Sequence, residues 1–281
     1  MMKFSNIISS IDNLAPLSGA TAEIQKLYVD DIENFKIDKL VSLIESDALL
    51  SVSILKIANS PIYGFSSKIT MVSQAVTLFG MMQVYGFIMK DMINKTIKAK
   101  TEVYGLSNER FNDICYLQSA LLMQWYGKVD LNMARFLSSL ALIMESGKLM
   151  IANEVSSSDY EEEFFSGFKE AKDITKFEKE LLETTSYNLS SLIFQHWHLD
   201  PEYINILKSL DLDDISDKKM KRYVDILKVI IMAVNMKTIL SKNSVLKACQ
   251  LVKNMGLDPN KFANIALNLK RSYIQELDTR V

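Results

Sequence analysis

Apolar residues recur along this chain at the three- and four-residue spacing that gives a helix one buried face. In the stretch 37–45, Ile37, Leu40, Val41, Leu43 and Ile44 share such a face. Asp47 then stands as an N-cap, its carboxylate placed to accept backbone N–H bonds from the next turn. The stretch 48–58 is apolar nearly all round, with Leu49, Leu50, Val52, Ile54, Leu55 and Ile57. That pattern predicts a centrally buried helix. Asn59-Ser60-Pro61 ends it, because the residue before a proline is pushed out of the helical region. Gly64 falls in the loop that follows. Thr70 is placed to cap a helix over 71–79, whose Val72, Ala75, Val76 and Phe79 share a face. Gly80 fits the stop position, where a positive φ is needed.

A long apolar helix is predicted over 81–100. The pattern breaks at Gly105-Leu106-Ser107, and a boundary between two lobes is placed there. Further helices are predicted at 108–126, 132–152, 176–189 and 190–198, and another begins near Pro201, a residue suited to a first helical turn. The Ser- and Glu-rich stretch 155–167 reads as an exposed connection. The tail predicts helices at 217–241, 243–255 and 259–277, with Gly256 between the last two. Strands are not required anywhere. The expectation is an all-α fold with an N-terminal helical lobe (1–105), a second lobe (106–215) and a C-terminal helical extension (216–281) packed on the same globule.

Composition supports this. Nine Gly and four Pro leave few tight turns for a β fold, and a 48% hydrophobic content over 281 residues is ample for a sizeable core. Basic and acidic residues nearly balance, 32 against 34, for a net charge of -2. A nucleic-acid partner is disfavoured, since phosphate neutralisation needs a basic excess. Cys115 and Cys249 form neither a disulfide framework nor a metal-ligand spacing and read as small buried hydrophobes. The N-terminal stretch 1–12 carries Lys3 but no long apolar segment, and the longest apolar run, 229–234, is too short to span a bilayer. A cytoplasmic, membrane-free protein is expected. Fifteen Met fill gaps between helices and also suit adaptable binding surfaces.

Chemistry is sparse. The two histidines, His196 and His198, flank Trp197. Residues two apart on a helix face different sides, so the pair does not share a metal easily. Asp211, Asp213, Asp214 and Asp217 lack an EF-hand's glycine and closing glutamate and read as helix caps. The basic cluster Lys218, Lys219, Lys221 and Arg222 reads as a solvated face. No phosphate-binding glycine loop and no nucleophile elbow occurs.

A set of motifs in the first half carries a resemblance. Leu14-Ala15-Pro16-Leu17 is a leucine–proline element. Ile44-Glu45-Ser46-Asp47-Ala48-Leu49 follows an I-x-x-D-P-x-L step, with Ala48 in place of proline. Ile54-Leu55-Lys56-Ile57-Ala58-Asn59-Ser60 is a leucine-rich helix ending in Ala-Asn-Ser, followed by Tyr63-Gly64. Ala75, Leu78 and Gly80 form an A-x-x-x-L-G element. In this order they resemble the HDOD family, helical relatives of the HD-domain metal-dependent phosphohydrolases. Asn59, Ser60 and Tyr63 are expected to pin a sharp helix–loop junction, with Asn59 in the left-handed conformation bonding freed carbonyls.

The same resemblance frames the second half. Ala141-Leu142-Ile143-Met144-Glu145-Ser146-Gly147-Lys148-Leu149 resembles the HD family's G-L-L-H-D-I-G-K-L, with Met144 and Glu145 at the His-Asp pair. Gln118 stands where a histidine often precedes serine, Ser186 near another histidine position, and Leu210-Asp211 where a His-His pair is common. At the aligned His-Asp pair one carboxylate, Glu145, survives, and no histidine stands at any of these positions, too few ligands for a hydrolytic metal centre. No catalytic residue, no cofactor and no metal ligand is therefore expected. The resemblance implies a regulatory module of bacterial signal transduction acting through protein partners, with response regulators or cyclic-dinucleotide pathways as family-level expectations. The segments 81–92 and 121–126, rich in Met and aromatics, are expected to line a groove for a partner helix or small ligand. The alternative is a metal-dependent phosphohydrolase with atypical ligands drawn from Glu145, His196, His198 and the aspartates. The sequence leaves the oligomeric state open.

Overall fold

The computed structural model describes residues 4–30, 35–65 and 67–279, so Lys3 lies outside the described residues. The described chain is helical almost throughout, as the periodicity predicts. Its helices are α1 (Phe4–Asp12), α2 (Gly19–Asp30), α3 (Ile37–Glu45), α4 (Ala48–Ala58), α5 (Val72–Phe79), α6 (Met81–Thr96), α7 (Asn108–Tyr126) and α8 (Leu131–Ile143). They continue with α9 (Ser146–Ser156), α10 (Glu161–Glu170), α11 (Ile174–Leu182), α12 (Ser186–His196), α13 (Pro201–Ser209), α14 (Lys218–Ala233), α15 (Lys242–Asn254) and α16 (Pro259–Thr279). Short 3-10 turns occupy Pro61–Tyr63 and Thr101–Tyr104. The chain divides into two compact units, each assembled from separated stretches. The first takes residues up to Leu17, Ile93–Asp113 and Ile143–Val224; the second takes Ser18–Met92, Ile114–Leu142 and the chain from Asp225 onward.

Within the second unit, α3, α4 and α5 pack against one another, α2 packs on α3, and α16 lies against both α15 and the Pro61–Tyr63 turn. Aromatic rings fill the gaps. Tyr28 stacks on Tyr85 at 3.9 Å, Phe79 meets Phe87 edge-on at 4.9 Å, and Trp125 meets Phe262 edge-on at 5.1 Å. The segments expected to line a groove are core instead. Val84, Tyr85, Phe87 and Ile88 are buried, as are Leu121, Leu122 and Trp125. Aromatic and aliphatic side chains of this size belong inside wherever neighbouring helices can cover them.

The α4 helix departs from expectation in the other direction. Leu50, Ile54, Ile57 and Ala58 are buried, but Leu49 is 73% exposed and Val52 64% exposed. A helix apolar all round was expected to be covered all round; α3 and α5 cover only one side.

Helix ends differ where tertiary contacts decide them. The predicted 132–152 helix is broken at Met144-Glu145 into α8 and α9. The 81–100 helix stops at Thr96, and the predicted 176–189 and 190–198 helices are α11 and α12, divided at 183–185. The stretch 155–167 contains the start of α10 rather than a loop, because Phe164 and Phe168 are buried against Tyr104 and Phe177. The α14 helix ends at Ala233 in a two-residue antiparallel ladder, Val234–Asn235 with Thr238–Ile239, where no strand was expected. Asn235 Oδ1 accepts from the backbone N–H groups of Lys237 (2.9 Å) and Thr238 (3.1 Å), closing the turn in place of helix bonds.

Candidate functional site

The family-motif residues of the second unit hold backbone in place. Asp47 accepts from the Leu50 N–H at 3.0 Å and caps α4 as predicted. Asn59 is not left-handed: its φ is -87°. Instead its Nδ2 donates to the carbonyls of Leu55 and Ile69, both at 2.8 Å, while its Oδ1 accepts from the Ile69 N–H at 2.8 Å. The side-chain amide thus pairs with both backbone groups of Ile69 as a peptide group does in a strand ladder. Ser60 Oγ accepts from the Ile62 N–H at 3.4 Å, and Tyr63 sets its ring edge-on to Phe79 at 5.0 Å. Burial raises the Tyr63 hydroxyl pKa, so the phenol stays neutral.

Gly80 (φ 82°) takes the positive φ the sequence predicts, and Gly64, placed by the sequence only in a loop, takes one too (φ 73°). Thr70 is not the cap of α5; Met71 is, and Gln74 Oε1 accepts from the Thr70 N–H at 2.9 Å. Gln118, buried, donates to the Val234 carbonyl at 3.0 Å and so secures the start of the ladder. Cys115 is buried, whereas Cys249 is only partly so.

The first unit gathers the remaining positions. Its focus is the elbow between α8 and α9, against which α12 packs. Ser190 Oγ donates to the Met144 carbonyl at 2.7 Å and accepts from the Gly147 N–H at 2.8 Å. One hydroxyl from α12 thereby satisfies both a carbonyl and an N–H that the broken helix leaves free. A Cβ on Gly147 would lie 1.9 Å from the Ser186 carbonyl oxygen, so only glycine allows this approach.

At the elbow sits a buried charge cluster. The Lys148 ammonium lies 2.8 Å from Glu145 Oε2 and 3.7 Å from Glu178 Oε1, with side chains exposed by no more than 3%. It donates to Ser186 Oγ at 2.6 Å and stands 4.8 Å from the centre of the Tyr187 ring. Glu178 Oε2 accepts from the Ser186 N–H at 2.7 Å, and its Oε1 accepts from the Tyr104 hydroxyl at 3.4 Å. Asp211 accepts from Thr185 Oγ1 near the same end of α12. Sequence reasoning picked Glu145, Ser186 and Asp211 from this group, with Lys148 only a letter in a motif, and missed Glu178. The signal for Glu178 was there: it lies one helical turn from both Ile174 and Leu182, a carboxylate on the apolar stripe of α11.

Charge explains the proton affinities. Two carboxylates face one ammonium, and the excess is negative. Burial raises the Glu178 pKa, opposed by the Lys148 charge and the Ser186 N–H. For Lys148 burial works downward, but the attraction of Glu145 and Glu178 outweighs it and the pKa is raised. Tyr104 and Tyr187 are pushed up by burial first and then by the same carboxylates, so both remain neutral donors.

A divalent centre of the HD type needs three or more fixed donors around an open position. These residues do not fit one. Met144 is a soft thioether unsuited to oxygen-seeking cations. The Glu145 and Glu178 carboxylates already face an ammonium. His196 Nε2 lies 3.0 Å from the Leu14 carbonyl oxygen, which only accepts, so that nitrogen carries a proton. Trp197 Nε1 donates to the Ala15 carbonyl at 2.9 Å, and His198, at φ 53°, has left the helix. His196-Trp197 therefore serves to dock the leucine–proline element. Among the described residues, no three His, Cys, Asp or Glu side chains are grouped to hold a metal ion.

Fold and site together define an all-helical module in which an ammonium sits among the carboxylates of the elbow. The chain belongs to the HDOD family: the HDOD domain matches residues 14–210. Among curated proteins none matches. Solved structures share the fold. A candidate phosphohydrolase from Shewanella amazonensis SB2B is 17% identical with a TM-score of 0.71, covering 96% of each chain. A candidate signal transduction protein from Marinobacter aquaeolei VT8 is 15% identical with a TM-score of 0.67, covering 98% of this chain but 64% of that one. An HDOD domain protein of unknown function from Geobacter sulfurreducens is 15% identical with a TM-score of 0.61, covering 97% of this chain and 94% of that one. At these identities the likeness is one of fold. Among the described residues no single helix is long and apolar enough to cross a membrane.

Proposed function

We propose that this chain is a non-catalytic regulatory protein of bacterial signal transduction, acting in the cytoplasm by binding protein partners. The observation that carries the reading is the buried Lys148 ammonium, 2.8 Å from Glu145, the one acidic residue left at the family's His-Asp positions. A carboxylate engaged by a resident ammonium is withdrawn from metal-assisted hydrolysis. The binding half of the reading draws support from α4, whose Leu49 and Val52 stand in solvent. Exposed large apolar side chains on a helix that is otherwise well packed favour contact with another protein. The fold shared with a candidate signal transduction protein points the same way. Response regulators and cyclic-dinucleotide pathways are the partners the family suggests.

The test has two arms. The full chain, supplied with excess MnCl2, is assayed against phosphodiesters and cyclic dinucleotides; no turnover is expected. Turnover that Glu145→Ala abolishes would establish the metal-dependent phosphohydrolase instead. In the second arm, crosslinking in cell extract is compared between the native chain and L49E/V52E. Loss of the captured partner in the variant is expected, and unchanged capture would move the binding surface away from α4.

A further inference from the structure

We infer that Lys148 is a resident counter-cation: its ammonium supplies, at the α8–α9 elbow, the positive charge that a bound divalent ion supplies in a metal-dependent relative, so the first unit is ordered by its own side chain. This rests on the non-catalytic reading of the same site and adds a structural task to it.

Coordination is the first argument. A lysine ammonium has three donors and accepts nothing. Here one is donated to Ser186 Oγ at 2.6 Å, while Glu145 Oε2 at 2.8 Å and the Glu178 carboxylate at 3.7 Å stand around the ammonium as ion pairs. Connectivity is the second. Lys148 lies on α9, Glu145 in the turn before it, Glu178 on α11 and Ser186 on α12, while Tyr104, which donates to Glu178, belongs to the Thr101–Tyr104 turn. One charge therefore ties three stretches directly and, through Glu178, a fourth, as a structural metal and its outer contacts do. Charge balance is the third. A single ammonium leaves one carboxylate uncompensated. Glu178 Oε2 accepts the N–H of Ser186, the first residue of α12, where the helix dipole is positive. The second negative charge is met there.

The consequence is a prediction about coupling. Removing Lys148 alone leaves two buried carboxylates facing each other without a cation, and breaking a buried pair from one side is strongly destabilising. Removing Lys148 together with the charge of Glu178 leaves the cluster's net charge unchanged.

The experiment measures Tm of the full chain for the native protein, K148M, E178Q and K148M/E178Q, each with EDTA and with excess MnCl2. The native protein is expected to hold the same Tm in both conditions. K148M is expected to lose roughly 10 °C, and K148M/E178Q to regain at least half of that loss. A native Tm that climbs saturably with Mn²⁺, with the climb abolished by Glu145→Gln, overturns the proposal because the ion and not the lysine is then the cation. So does a K148M loss that E178Q leaves unrelieved, or no loss at all. If K148M fails to fold, a folded double variant supports the proposal and an unfolded one refutes it. Phosphodiester turnover by the native chain would end the non-catalytic reading while leaving this charge cycle intact. A cycle without coupling would end the counter-cation role and leave that reading standing.

Discussion

Asn59 closes the leucine-rich stretch of the family motif, and its geometry assigns it to backbone support. Asn59→Ala removes three hydrogen bonds at 2.8 Å, two donated by Nδ2 and one accepted by Oδ1. Each such bond is worth about 1 kcal/mol net, so the loss is about 3 kcal/mol, roughly a hundredfold in the folding equilibrium. Ile69 is buried, at 3% exposure, so water does not readily replace the lost partner. Asn59→Asp keeps the acceptor for the Ile69 N–H but turns a carboxylate toward two carbonyl oxygens. It is expected to cost as much as alanine near neutrality. The carbonyls favour the protonated acid, which raises the introduced carboxyl's pKa in the folded state. The defect should therefore shrink as the pH falls through that raised value, and alanine should show no such recovery. Urea unfolding of the full chain, followed by far-UV circular dichroism at neutral and mildly acidic pH, reads both effects. Either variant within about 0.5 kcal/mol of the native protein would refute the assignment, since that is the range of inert surface changes.

Other sites carry their own expectations. Gly147→Ala forces a Cβ to within 1.9 Å of the Ser186 carbonyl oxygen and should separate α9 from α12, costing about 3 kcal/mol or more; a change under about 1 kcal/mol in urea unfolding would show that the helices slide apart freely. The Lys148 pKa is raised above the ordinary 10.5, so the folded state holds the proton more tightly than the unfolded chain. The contribution of that charge is complete below about pH 10.5 and is lost as pH rises through the folded value, so the stability gap between native protein and K148M should narrow only in alkali. Trp197→Phe deletes the bond to the Ala15 carbonyl and should cost about 1 kcal/mol, with faster proteolysis around residues 13–17 as the local readout.

Much of this protein is already written in its linear pattern. Apolar spacing of three and four placed the helical segments, and Asp47 and Gly80 announced a cap and a stop because caps and positive φ are local demands. The motif from Ile54 to Ser60, with the elements around it, carries the family resemblance in the linear sequence. The tertiary structure decided what depends on distant partners. Ser190 of α12 bonds the Met144 carbonyl and the Gly147 N–H, so a helix that looked continuous breaks at Met144-Glu145. Phe164 and Phe168 find a pocket and turn a polar-looking connection into α10. Leu49 and Val52 are left in solvent because nothing in the described chain covers that face of α4. The charge cluster belongs to the same class. Local spacing reveals that Glu145 and Lys148 share a face, but Glu178 arrives from a helix some thirty residues away along the chain. Only folding brings that second carboxylate to the ammonium, because burial is what makes an unpaired charge intolerable and selects the partner that meets it.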